Sequence, residues 1–216
     1  MREGCKMETA WSVFYGAVGT LGMLHGIADA FQIPYDQKMI FIWIVLSSVI
    51  WGIAFGWKRN RKYLFPAAVG LFVWIGLWRW KEICEGICRS MERMTEAVNA
   101  YYQFSWDTVK YVKTGGISTE QTAILAVGVL VSGLLVGGFL QKKGRILLAV
   151  LFAFGFLAPF LVGKVPENRT VWELLIGIMG LLAMQTALPG KQRKIKFFGT
   201  ANGMLIGIAA IAFVGG

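Results

Sequence analysis

TAILAVGVLVSGLLVGGFL, residues 122–140, runs for nineteen positions without a charged side chain. At about 1.5 Å of rise per residue, a helix of this length crosses the roughly 30 Å hydrocarbon core of a bilayer. Inside lipid every backbone amide needs a partner within its own segment or in a closed barrel. Barrel strands alternate apolar and polar residues at every second position, and this stretch does not. It reads as a membrane-crossing α-helix.

Working outward, the same pattern recurs along the chain. Apolar blocks place spans at 11–31, 39–57, 63–78, 122–140, 146–165, 171–188 and 197–216. The expected fold is all-α: one polytopic membrane domain over residues 1–216, with about seven transmembrane helices. Composition agrees, since 56% of residues are hydrophobic and only 16% are charged, where a soluble domain carries about a quarter charged. The mean hydropathy is +0.58.

The net charge of +10 would raise nucleic acid as a partner in a soluble chain. Here the bases fall in short loops between apolar runs, so the expected partner is the lipid bilayer and not nucleic acid. Lys58, Arg59, Arg61 and Lys62 lie between spans two and three. Lys142, Lys143 and Arg145 lie between spans four and five, and Lys191, Arg193, Lys194 and Lys196 between six and seven. If each block crosses once, all three clusters share one side, which the positive-inside rule makes cytoplasmic. The N-terminus is then inside, the C-terminus outside, and these basic residues are the expected headgroup contacts in a bacterial cytoplasmic membrane.

One connection is long. Within residues 79–121, Ile83, Ile87, Met91, Met94 and Val98 recur at three- and four-residue spacing, with Glu82, Glu85, Arg89, Glu92, Arg93 and Glu96 on the other face. This predicts an amphipathic helix lying along the outer surface or over the bundle. Tyr101, Tyr102, Phe104 and Trp106 follow as headgroup-level aromatics. Thr119 is the expected N-cap of span four.

Few residues could carry chemistry. His25 and Asp29 are four apart on one face of span one, and intramembrane ionisable groups are costly enough to be functional candidates. The pair could relay protons or bind a cation. The structural alternative, which the absence of further ionisable groups at depth favours, is that His25 simply hydrogen-bonds to Asp29. Cys84 and Cys88 are also four apart, where a disulfide would be strained, so they are expected as small apolar residues on the buried face of the amphipathic helix. Three cysteines and one histidine are too few for a disulfide framework or a tetrahedral metal site. No cofactor, metal or catalytic constellation is expected. Glycines four apart (Gly22 and Gly26, Gly52 and Gly56, Gly133 and Gly137, and Gly199, Gly203 and Gly207) point to closely packed helices, and Pro66 and Pro159 to irregularities within spans.

Four segments carry a resemblance: GIADAFQIPYD (26–36), GWKRNRKYLF (56–65), MERMTEAVNAYYQFSW (91–106) and RILLAVLFAFGFLAPFLVGKVPENRTVWELLIGIMGLLA (145–183). In order and spacing the chain resembles the N-terminal membrane region of bacterial multi-pass transglutaminase-like proteins. In that family the membrane block precedes an extracytoplasmic domain with a papain-like Cys-His-Asp site. No matched segment contains a family catalytic residue, so none is carried over.

The expected function is therefore a membrane anchor or scaffold for an extracytoplasmic domain or partner, with no enzymatic activity on this chain. A small transporter or channel subunit using His25 and Asp29 is the alternative. An integral-membrane enzyme acting on a lipid-linked substrate, through Asp29, Glu173, Arg79, Glu82 or Glu85, is the third reading.

Overall fold

The structure, a computed structural model, describes residues 3–57, 60–104, 106, 117–141 and 145–186. These form seven α-helices and, among the described residues, no strand: α1 (Glu3–Phe31), α2 (Gln37–Gly56), α3 (Arg61–Trp78), α4 (Trp80–Tyr102), α5 (Ile117–Gln141), α6 (Arg145–Leu161) and α7 (Asn168–Thr186). The span expected at 197–216 lies outside the described residues. Two helices, α2 and α5, are long and apolar enough to cross a membrane, and α3 with α4 makes a third if that pair, bent by 77°, is taken as one span. One expectation needs correction. The helix of span four begins at Ile117, so Thr119 lies in its first turn and is not its N-cap. A cap does form at α2, where Asp36 Oδ1 accepts from the Lys38 and Met39 amides at 2.9 and 3.3 Å.

The central helix is α1. It packs against α2, α5, α6 and α7, and glycines let each neighbour approach. A Cβ on Gly16 would strike Val136 of α5; one on Gly19 would meet Phe152 of α6 at 2.7 Å; one on Gly22 would meet the α7 backbone at Leu174 N, 2.9 Å away. At Gly26 the obstacle is the Gly155 carbonyl oxygen of α6, at 2.6 Å. That carbonyl is the one whose intrahelical donor would be residue 159. Position 159 is proline, which has no N–H, so the Gly155 oxygen is left to face Gly26. On the other flank Gly52 and Gly56 of α2 admit Val13 and Thr9. At the described positions small residues thus do what the spacing of glycines predicts; Gly199, Gly203 and Gly207 lie outside the described residues.

The contacts also set directions. Gly16 meets Val136 while Leu24 meets Gly128, so α1 and α5 are antiparallel. By the same logic α1 runs against α2 and α7 and along α6. One end of the bundle therefore holds the C-terminus of α1 and the N-termini of α2, α5 and α7. Two polar links tie α2 to α5: Ser47 Oγ lies 3.0 Å from Ser132 Oγ, and Trp51 Nε1 donates to Val129 O at 3.1 Å.

Across that end lies α4. Gly86 sits against the Thr119 carbonyl of α5, and Arg93 Nε donates to the buried Glu120 of α5 at 2.9 Å. Met94, Ala97 and Val98 pack on the core formed around Phe31, Ile33 and Ile40. At its far end Tyr101 covers Gly163, whose φ of +66° is accessible to glycine at little cost. The helix thus reaches from α3, over α5 and the α1–α2 connection, to the α6–α7 turn.

Candidate functional site

Beside α4, the same end of the bundle gathers the polar groups of four segments. His25, on the last turns of α1, is only 2% exposed. Its Nδ1 lies at hydrogen-bond distance, 2.6 Å, from Glu173 Oε2 of α7. Glu173 Oε1 accepts a second bond from Arg169 Nε, one turn back on α7, at 3.0 Å. The Arg169 guanidinium reaches on to α2, where the side-chain oxygen of Gln37, its amide assigned from its partners, accepts from Nη2 at 3.1 Å and from Nη1. His25 Nε2 is buried and has no hydrogen-bond partner among the described residues.

Asp29 belongs to a second arm. It accepts from the Tyr35 hydroxyl at 3.0 Å, and the Tyr35 ring stacks on the His25 imidazole with centroids 5.6 Å apart. Burial first, and then the Asp29 carboxylate beside it, push the Tyr35 hydroxyl well above the usual phenol range. It therefore stays protonated and keeps donating to Asp29. Next to this arm is a cleft of about 280 Å³ lined by Gly26, Asp29, Lys164, Glu167 and Thr170, among others. Lys164 is anchored there by donating to the Ala30 carbonyl at 2.9 Å.

His25 and Asp29 are thus near each other but not paired. The bond expected between them gives way to His25–Glu173 and Asp29–Tyr35. In sequence Glu173 stands out only as a charge near the start of span six, and no spacing singles out Tyr35 or Gln37. The signal that could have found them is Glu173 itself. It is the acidic residue inside an apolar run, with Arg169 four residues before it on the same helix face.

The cysteines also need correction. Cys88 is exposed and Cys84 is partly so, whereas the buried face of α4 is built on Gly86, Met94, Ala97 and Val98. Of the expected headgroup contacts, Arg61 and Lys62 are exposed at the start of α3, with Arg61 over the Phe55 ring (5.7 Å) and Lys62 over that of Tyr63 (5.0 Å). Arg145 opens α6. Lys58, Arg59, Lys142, Lys143, Lys191, Arg193, Lys194 and Lys196 lie outside the described residues. No group of three or more His, Cys, Asp or Glu side chains among the described residues is arranged to hold a metal ion.

Comparison with protein-family models, with curated proteins and with solved structures finds no match to this chain.

Proposed function

We propose that this chain is a membrane-embedded scaffold: a tightly packed helical bundle that holds an extracytoplasmic surface, and any domain or partner joined to it, at a bacterial cytoplasmic membrane. The observation that carries this reading is the inverted apolar surface of the bundle. Ile42 and Leu46 of α2, Leu130 and Leu134 of α5, Phe154 and Leu157 of α6, and Trp172 and Met179 of α7 all face outward. A water-soluble monomer rarely exposes so much contiguous apolar surface, but lipid covers it. Meanwhile α1 is enclosed by four helices through glycine contacts, the arrangement of a fixed framework.

In this reading α1, α2, α3, α5, α6, α7 and the segment 197–216 cross the membrane, with the N-terminus inside and the C-terminus outside. Charge supports the orientation. The end opposite α4 carries the exposed Arg61 and Lys62 at the start of α3, and in sequence the basic clusters fall between the same pairs of expected spans, the side that the positive-inside rule makes cytoplasmic. The resemblance to transglutaminase-like proteins supplies one form of the scaffold, with a catalytic domain outside. A reading frame that continues past Gly216 into a soluble domain with cysteine and histidine would support that form; a stop codon there would count against it.

A second reading, a small transporter or channel subunit, is favoured by one observation: the buried His25, bonded to Glu173 and through it to Arg169. Proteoliposomes under a pH gradient separate the two. The scaffold predicts proton and cation flux no greater than in empty vesicles. Flux in the wild-type protein that His25→Gln or Glu173→Gln abolishes would overturn the scaffold in favour of transport.

A further inference from the structure

Successive residues step about 100° around a helix axis, and on α4 this divides the surface into three sectors, not two. The first faces the bundle and contains Glu82, Gly86, Arg93, Met94 and Ala97; Arg93 reaches Glu120, and Thr122 Oγ1 lies 3.4 Å from Glu82 Oε2. The second is charged and contains Lys81, Glu85, Arg89, Glu92 and Glu96. The third is apolar, and over the first half of the helix it is unburied, with Trp80 60% exposed, Met91 61% exposed, and Ile87 and Cys84 beside them; farther along the same sector Val98 packs on the bundle. A helix lying on a protein in water needs one apolar sector. A second one needs a second cover.

We infer that this third sector of α4 is sunk into the headgroup–acyl boundary of the outer leaflet, so that α4 is a membrane-surface helix gripping bundle and lipid at once. The occupant is lipid because of what the sector joins and what it opposes. Around the 77° bend it continues into the outward face of α3, where Trp74, Leu77 and Trp78 are bare and Trp78 is 75% exposed. That face already requires hydrocarbon in the scaffold reading, on which this inference rests. Tryptophan is the side chain that settles at the headgroup level, and Trp74, Trp78 and Trp80 are grouped at the bend. The charged sector lies on the other side of α4, where water would be, which is the layout of an interfacial helix. Arg79 sits at the bend, bonded to Glu82 at 2.7 Å, so the turn itself is polar and belongs at the surface.

The experiment is spin labelling of single cysteines on the full chain, in vesicles of phosphatidylethanolamine and phosphatidylglycerol. The background has Cys5, Cys84 and Cys88 replaced by alanine. Collision with oxygen, which partitions into lipid, is compared with collision with a water-soluble nickel chelate. Ile87→Cys and Met91→Cys should favour oxygen severalfold, and Glu85→Cys and Glu92→Cys should favour nickel. All four positions lie outside the face of α4 that packs on the bundle, and Ile42→Cys on α2 and Leu130→Cys on α5 report separately on the bundle. If positions 42 and 130 favour oxygen while 87 and 91 favour nickel, the inference fails and the scaffold reading stands. Shielding of 87 and 91 from both reagents would also overturn it, because protein would be the cover. Nickel contact at 42 and 130 would overturn the membrane reading itself.

Discussion

Gly26 and Gly70 look alike in sequence, both glycines inside apolar helices, yet they stand in opposite surroundings. A Cβ at Gly26 meets the Gly155 carbonyl, whereas one at Gly70 meets nothing within 4 Å. Gly26→Ala should therefore destabilise the bundle by about 1–3 kcal/mol through overpacking. Gly70→Ala should leave it unchanged or stabilise it by about 0.5–1 kcal/mol, the helix-interior preference for alanine. Thermal unfolding of the two variants in detergent checks the contrast. Glu173 is the other residue-scale test. Removing its carboxylate strands the buried His25 Nδ1, so Glu173→Ala should cost about 1–3 kcal/mol. A double-mutant cycle with His25→Ala should show the two effects to be non-additive, since the residues touch. That His25 is costly and shares a helix face with Asp29 was legible from spacing alone. That its partner lies 148 residues away was not, because no local period links α1 to α7.

At the scale of elements, the helices were readable wherever an apolar block had polar ends: α1, α3 and α5 cover the blocks read from sequence, and α2 ends one residue short of its block, at Gly56. The amphipathic helix was legible as a helix but not as a three-sided one. Periodicity separates apolar from polar positions, so Ile87 and Met91 joined Met94 and Val98 on one face. Only the docking of α4 on the bundle divides them, covering Met94 and Val98 while Ile87 and Met91 stay exposed, and it brings Arg93 to Glu120 and Glu82 to Thr122. The α1–α2 connection yields a prediction of its own. Folding raises the Tyr35 hydroxyl above its ordinary range, so the folded state holds this proton more tightly than the unfolded chain. The resulting stability is fully present below the ordinary phenol value of about 10 and is lost as pH rises above it. Unfolding temperatures measured from pH 8 to pH 11 should fall more steeply for the wild type than for Tyr35→Phe. Equal slopes would mean that Tyr35 contributes nothing to the pH dependence.

For the whole molecule, the membrane reading joins features that no single helix explains. Apolar side chains point outward from α2, α5, α6 and α7, α1 is sealed at the centre, and acidic groups gather at the end crossed by α4. Composition and block length made the all-helical class and its long apolar helices legible, because hydropathy needs no tertiary information. The polar assembly of His25, Glu173, Arg169, Asp29 and Tyr35 was hidden because it forms only when α1, α7 and the connection at 32–36 converge. Sidedness can be read with two exposed positions at opposite ends, Lys62→Cys and Glu96→Cys, each in the cysteine-free background. In intact cells a membrane-impermeant maleimide should label position 96 at once and position 62 only after the membrane is permeabilised. Equal labelling of both before permeabilisation, or the reverse order, would contradict a membrane-embedded bundle with its α4 end outside.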